Sequence, residues 1–268
     1  MKFATINGNK IEATKGAVGM CTHCGAELIA KCGTVKIHHW AHKGIRNCDP
    51  WWENETEWHR FWKSHYTAAW QEFSMLDPAT NEKHIADVYT DRGLVIEFQH
   101  SSIHPSERMA REKFYKNMVW VIDGTRLKND YPRFLQARNS FRRTHHPAIF
   151  HVDIMAECFP SAWIGSDVPV VFDFKGTVTI DDPRDPRHHL YCLLPKKDSR
   201  YALLTILTRR YFIDKTISGE WSSIFSSDFE RPVPNQDAQQ GQGRQNSNVR
   251  KESPFVLYKG RFIRRKRL

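Results

Sequence analysis

Three sets of residues in this chain have the types and spacing to do chemistry. The first is Cys21-Thr-His-Cys24-Gly25, with His38, His39, His42 and Cys48 downstream. Two thiolates at this spacing can grip one ion from a tight turn, and Gly25 tolerates the positive φ that such a turn needs. Tetrahedral zinc then takes two more ligands. His39 and His42 are preferred, with Cys48 next; Cys32 is left over, and Cys158 and Cys192, far apart in apolar settings, read as buried thiols. A CxxC can also be a redox pair, but thioredoxin-type motifs sit at a strand-to-helix turn inside a βαβ pattern, and this segment does not read that way.

The second set lies in HIADVYTDRGLVIEFQHSSI, residues 84–103. Asp87 ends one short apolar run, and Glu97 and Gln99 interrupt the next. Residues two apart on a strand share a face, so Glu97 and Gln99 point the same way, and Asp87 on a partner strand reaches the same patch. Two converging carboxylates repel unless a cation sits between them, and hard oxygen ligands suit magnesium or manganese. The third set is Glu55, His59 and Lys63 at i, i+4, i+8 on the border of an aromatic helix face; the same spacing also describes an ordinary surface row with a Glu-to-Lys ladder.

The elements that must position these residues are legible from periodicity. WWENETEWHRFWKSHYTAAW places Trp58, Trp62, Tyr66 and Trp70 on one helical stripe, which predicts a helix with a buried face. QEFSML, KHIADVYT and LVIEFQHS read as three strands, the last two joined through Asp91-Arg92-Gly93. HPSERMAREKFYKNM reads as a helix with Pro105 in its first turn, and VWVID as a buried strand. Beyond residue 150, FHVDIMA, VPVVFDF, GTVTIDD and HHLYCLLP read as short strands and YALLTILTRRYFIDKTI as a helix with an apolar face.

At 268 residues and 40% hydrophobic content, the chain is long enough for a sizeable core and more than one module. No apolar run approaches the roughly 18 residues of a membrane span, and the first residues lack a signal-peptide apolar core, so a cytoplasmic protein is expected. Its cysteines are then free or metal-bound. The formal charge of +10 is unevenly spread: residues 231–268 carry ten Lys and Arg against two Asp and Glu, leaving the remainder close to balance. That segment divides into a Gln-, Asn- and Gly-rich stretch expected to be a disordered linker, and a basic end, Arg264, Arg265, Lys266 and Arg267, which is either a solvated terminus or an anchor on nucleic-acid phosphates.

The order helix, three strands, helix, strand resembles the core of the restriction-endonuclease-like, or PD-(D/E)XK, nucleases. More narrowly, the chain resembles the competence protein CoiA-like family over roughly residues 20–125. The residues that carry this likeness are Cys21-x-x-Cys24, His39-Trp-Ala-His42, the Glu55/His59/Lys63 row, Ala86-Asp87-Val88, Ile96-Glu97-Phe98-Gln99-x-Ser101, and Arg111-x-x-x-Tyr115 before Val119-Trp120-Val121. The resemblance implies that Asp87 and Glu97, with the Phe98 carbonyl, hold Mg²⁺ or Mn²⁺, and that Glu55 is the acidic residue of the first helix. Gln99 stands where the wider superfamily has lysine. Lys63 or His59 would supply the missing charge or carry a proton, and Arg111 and Tyr115 would contact or orient the DNA backbone.

The expected fold is thus α/β (α+β), with a zinc module over 1–50, a restriction-endonuclease-like αβββαβ core over 51–150, a β-rich accessory region over 151–230 and a linker with a basic tail over 231–268. The expected function is a metal-dependent DNA nuclease, an endonuclease acting in DNA uptake and recombination or in antiviral defence, with DNA and a protein of a recombination or defence complex as partners. The alternatives are a non-catalytic zinc-containing DNA-binding adaptor and an interaction subunit of such a complex. Carboxylates facing phosphates favour the enzyme, because a pure DNA binder gains nothing from them.

Overall fold

The computed structural model describes residues 1–44, 48–51, 53–78, 80–195 and 202–225, together with the backbone of two short strands near the C-terminus. The chain divides into two units, Met1–Arg231 and Pro232–Leu268. The first is a mixed α/β structure built on two sheets.

The N-terminal sheet is antiparallel and five-stranded: β1 (Phe3–Ile6), β2 (Asn9–Glu12), β3 (Val18–Met20), β4 (Glu27–Lys31) and β5 (His39–His42), in the order β2-β1-β3-β4-β5. Its small core is Ala4, Leu28 and Trp40, closed off by Cys21 and Cys48. The turn between β3 and β4 is tied by Cys21 N–H to the Ala26 carbonyl and Gly25 N–H to the Cys21 carbonyl, with Gly25 at φ +71°. An L side chain at that φ would be strained, which is the reason for glycine.

The second sheet has nine strands. β6 (Gln71–Leu76), β7 (Lys83–Tyr89) and β8 (Val95–Gln99) form an antiparallel meander. β9 (Met118–Asp123) runs parallel to β8, and β12 (Val170–Asp173) runs parallel to β9. β13 (His189–Leu193), β14 (Ala202–Thr208), β11 (Ile149–Val152) and β10 (Arg142–Arg143) complete it in antiparallel fashion. Helix α1 (Glu57–Lys63) and α5 (Arg209–Ser218) cover one face, where Trp58, Trp62 and Phe212 pack on Phe98, Val119 and Val121. Helices α2 (Pro105–Tyr115), α3 (Asp130–Ala137) and α4 (Met155–Cys158) belong to the other, where Tyr115, Phe134 and Cys158 join Trp120, Ile122 and Phe172. Alternation of Val119 and Val121 with Trp120 and Ile122 explains why VWVID is apolar throughout: both faces of the strand are covered.

Several elements differ from their sequence expectation. The helical run from residue 51 is α-helix only over Glu57–Lys63. Thr56 caps its start, and from Ser64 the backbone bonds tighten (His65 N–H to Trp62, Tyr66 N–H to Lys63), so Tyr66 reaches the core from a turn. GTVTIDD forms no strand: Gly176 turns at φ +62°, Val178 is 55% exposed, and among the described residues no strand pairs with this segment. YALLTILTRRYFIDKTI splits at Thr208 into β14 and α5. Pairing to β11 and β13 on both sides overrides a leucine spacing that also suits a helix, and the Thr208 side chain then caps α5 by accepting from Tyr211 N–H. FHVDIMA is strand only through Val152 and then turns into α4. The boundary expected at residue 150 falls inside one sheet, since β11 to β14 extend the surface begun by β6 to β9.

In the second unit the two strands β15 (Phe255–Tyr258) and β16 (Arg261–Arg264) form an antiparallel hairpin. The expected linker, 231–252, and Arg265, Lys266 and Arg267 lie outside the described residues. Among the described residues no helix is long and apolar enough to cross a membrane.

Candidate functional site

Cys21, Cys24, His42 and Cys48 come together with all four donor atoms within 4.8 Å of one another. Cys48 Sγ lies 3.4 Å from Cys21 Sγ, 3.1 Å from Cys24 Sγ and 3.0 Å from His42 Nε2, and Cys24 Sγ lies 3.3 Å from His42 Nε2. Three sulfurs and one imidazole nitrogen so close suit a tetrahedral Cys3His zinc site, whose donor–donor edges are about 3.5–3.8 Å for metal bonds of about 2.0–2.3 Å. The Cys48 thiol, as hydrogen-bond donor, draws Cys21 down to about 4 and is itself pushed up. His39 is not part of the cluster, a correction to the preferred pair: it donates Nδ1–H to the Ile37 carbonyl at 2.9 Å. His39 and His42 stand three apart on β5, so they face opposite sides and cannot both reach one ion. Cys32 is indeed the leftover, turned to the Ala13 carbonyl, and Cys158 and Cys192 are buried.

A cavity of about 60 Å³ lies between this module and the large sheet, lined by Asp49, Glu53, Glu55, Glu72, Asp87 and Glu97 together with Lys63, His59, Gln99 and Arg111. Its geometry starts from an opening in the β7–β8 ladder. The last regular pair is Val88 with Ile96; beyond it the Asp87 N–H donates to Glu97 Oε1 at 3.2 Å and the Phe98 N–H to Asp87 Oδ2 at 3.0 Å. Each carboxylate thus replaces a backbone partner on the opposite strand, which fixes both side chains at the gap.

Glu97 is 4% exposed and is pushed up to about 8, by burial first and by the Asp87 charge second, although Arg111 Nη1 sits 3.1 Å from Oε2. Lys63, 3% exposed, is encircled by Glu55 (2.7 Å), Asp87 (3.4 Å) and Glu72 (3.7 Å). Burial would lower its pKa, but the three carboxylates outweigh it and hold the ammonium charged. In return Lys63 and Arg60 overcome burial to bring Glu55 down to about 2. Glu55 lies one residue before the cap of α1, outside the helix where its row placed it.

Glu53, Glu72 and Asp49 carry no such signature in the sequence. Glu53 takes Nε2–H of His59 at 2.7 Å, the Gln99 amide at 2.8 Å, the N–H groups of His100 and Ser101 at 3.1 Å and the Ser101 hydroxyl, and lies at about 2 because these donors outweigh burial. His59 Nδ1 accepts from the Thr56 N–H, so the ring proton is on Nε2, shared by Glu53 and the Phe98 carbonyl at 3.0 Å. Glu72 stands at φ +48° on β6 and accepts from the N–H groups of Lys2 and Phe3, binding the two sheets together. The one available signal was the run of acidic residues at 49, 53 and 55 after the last cysteine of the module.

Arg111 and Tyr115 are a second correction. Both are buried on the inner face of α2, Arg111 bonded to Glu97, Glu107 and the Trp51 carbonyl and Tyr115 packed on Trp51 and Phe114, so neither presents a surface to a DNA backbone. Among the described residues, Cys21, Cys24, His42 and Cys48 are the group drawn together tightly enough to hold an ion as it stands.

Residues 5–50 match the family model of the competence protein CoiA, N-terminal domain. The N-terminal module is CoiA-like. The match takes in the whole Cys3His cluster and, of the cavity wall, Asp49, and it stops before Glu53, Asp87 and Glu97. No curated protein and no solved structure matches the chain.

Proposed function

We propose that the chain is a metal-dependent DNA nuclease whose α1-β6-β7-β8-α2-β9 segment is a restriction-endonuclease-like core. The observation that carries this reading is the gap in the β7–β8 ladder, where Asp87 and Glu97 are crossed onto each other's strand. Two buried carboxylates set against each other cost stability, and burial first and the Asp87 charge second raise the pKa of Glu97 in spite of Arg111. Asp87 and Glu97, with the Phe98 carbonyl, would hold Mg²⁺ or Mn²⁺. A divalent ion in that position lowers the pKa of a bound water and offsets charge on phosphate oxygens. Lys63 brings the fixed positive charge that Gln99 cannot, from α1 instead of β8. Gln99 and His59 are braced by Glu53, and the hydrogen bonds at both ring nitrogens of His59 support an orienting role for it. Arg111 aims Glu97. The CoiA-like N-terminal module suggests a role in competence, with DNA in uptake and recombination as the substrate; defence against foreign DNA uses the same chemistry.

A second reading, a non-catalytic DNA-binding adaptor, is favoured by one observation: the acidic residues are satisfied by protein donors, so an ion would compete with Arg111 for Glu97. Cleavage of labelled single-stranded, duplex and branched DNA with Mn²⁺ or Mg²⁺ decides between them. Metal-dependent cutting by the wild type and none by Asp87→Ala establishes the nuclease. Binding without cutting by both proteins favours the adaptor, or an enzyme that needs a partner to open its site.

A further inference from the structure

The zinc cluster and the acidic cavity are joined by one short strap, residues 48–55, which starts at Cys48 and ends beside the cap of α1. Its alternate residues Asp49, Trp51, Glu53 and Glu55 all line the cavity. Together they are tied to β7, α2, β8 and α1. Asp49 Oδ2 accepts from the Ile85 N–H at 2.8 Å, two residues before Asp87 on β7. The Trp51 ring stacks on His84 at 3.4 Å, and its carbonyl accepts from Arg111, the partner of Glu97. Glu53 gathers Gln99, His59 and the amides that follow β8, and Glu55 pairs with Lys63.

Among the described residues of the strap none lies in a helix or strand, and no backbone–backbone hydrogen bond holds them to the rest of the protein. Its position therefore depends on these side chains and on its two ends. The α1 end is capped by Thr56; the other end is a cysteine that an ion would fix within a tetrahedron. A free thiol makes only weak hydrogen bonds, whereas a thiolate on zinc is held at about 2.3 Å.

We propose that ligation of zinc through Cys48 positions the wall of the acidic cavity, with Asp49 and Glu53 as the positioning residues, so that the zinc site controls the geometry around Asp87, Glu97 and Gln99. This rests on the Cys3His cluster taking zinc. Only its consequence for cleavage rests on the nuclease reading, and the test needs no cleavage.

The test is hydrogen exchange by mass spectrometry on the full chain, zinc-loaded, zinc-stripped, and as Cys24→Ser, which removes a ligand remote from the strap. Segments 83–89 and 98–103, whose Ile85, His100 and Ser101 amides donate to Asp49 and Glu53, should exchange at least tenfold faster without zinc. Segments 118–123 and 170–173 in the sheet centre should be unchanged. Asp49→Ala should loosen 83–89, and Glu53→Ala should loosen 98–103, in proteins that still bind one zinc per chain. Unaltered exchange of 83–89 and 98–103 on zinc loss, or a wild-type chain that binds no zinc, overturns the proposal. If Cys24→Ser loosens the sheet centre as well, the whole unit has opened, and the Asp49→Ala and Glu53→Ala proteins decide. Failure of DNA cleavage with the exchange pattern intact removes the nuclease and leaves the coupling standing.

Discussion

Replacing Glu97 with glutamine should stabilise the metal-free protein at neutral pH. Glu97 is 4% exposed beside Asp87, and its pKa moves from the ordinary 4.5 to about 8. Below pH 4.5 the residue is protonated whether folded or unfolded, and it adds no pH dependence. Between 4.5 and 8 the unfolded chain releases a proton that the folded chain keeps, so stability falls as pH rises, and above about 8 the dependence levels off. At 1.36 kcal/mol per tenfold in proton affinity, the ceiling on this loss is about 5 kcal/mol. Asp87 retains 24% exposure and can turn toward water. That relaxation brings the expected loss to about 2–4 kcal/mol. Glutamine can still accept from the Asp87 N–H but never ionises. Urea denaturation at pH 5, 6, 7 and 8 in buffer free of magnesium and manganese should give a wild-type curve that drops by this amount relative to Glu97→Gln. Added Mn²⁺ should restore the wild type and leave the variant unmoved. Parallel curves for the two proteins would refute both the burial and the carboxylate repulsion invoked for this site.

Three further outcomes are expected. Asp173 is fully buried and accepts from the indole N–H groups of Trp58 (3.0 Å) and Trp62 (3.1 Å) and from Arg209, so it pins α1 and α5 to the end of β12. Asp173→Ala orphans these donors and should cost about 3–5 kcal/mol in urea denaturation, with zinc content unchanged. Lys63→Met leaves Glu55, Glu72 and Asp87 without their shared cation and should cost a similar amount, about 3–5 kcal/mol, at pH 7. Glu55 is ionised in the wild type down to about 2, so this penalty should shrink as pH falls below 4.5 and the crowded carboxylates of the variant take up protons; a penalty independent of pH would assign Lys63 to packing alone. Removing residues 254–268 should flatten the fall of DNA affinity with salt by about 0.7–0.9 for each phosphate that the basic end neutralises, and an unchanged slope in filter binding would exclude that end as an anchor.

Much of the arrangement around the site is written locally. The strands β6 to β9, helix α2 with Pro105 in its first turn, the Gly25 turn and the cysteine pair all follow from patterns within a few residues, because side-chain alternation, proline φ and glycine's freedom act over that range. Asp87 and Glu97 could be placed on neighbouring strands for the same reason. What the chain alone did not decide depends on partners distant in sequence. Whether ALLTILT is strand or helix is settled by β11 and β13 on either side. The fourth member of the cysteine cluster is Cys48 and not His39, because strand β5 can turn only one of its two histidines inward. Glu53 is marked locally only by its place in an acidic run; it matters because the fold brings it to Gln99, forty-six residues away. Arg111, a surface arginine by composition, becomes a buried counter-ion only when α2 lies across the sheet. Local stereochemistry determines the elements and the faces they offer. Burial and charge balance, which depend on what lands opposite, determine which of those faces become a site.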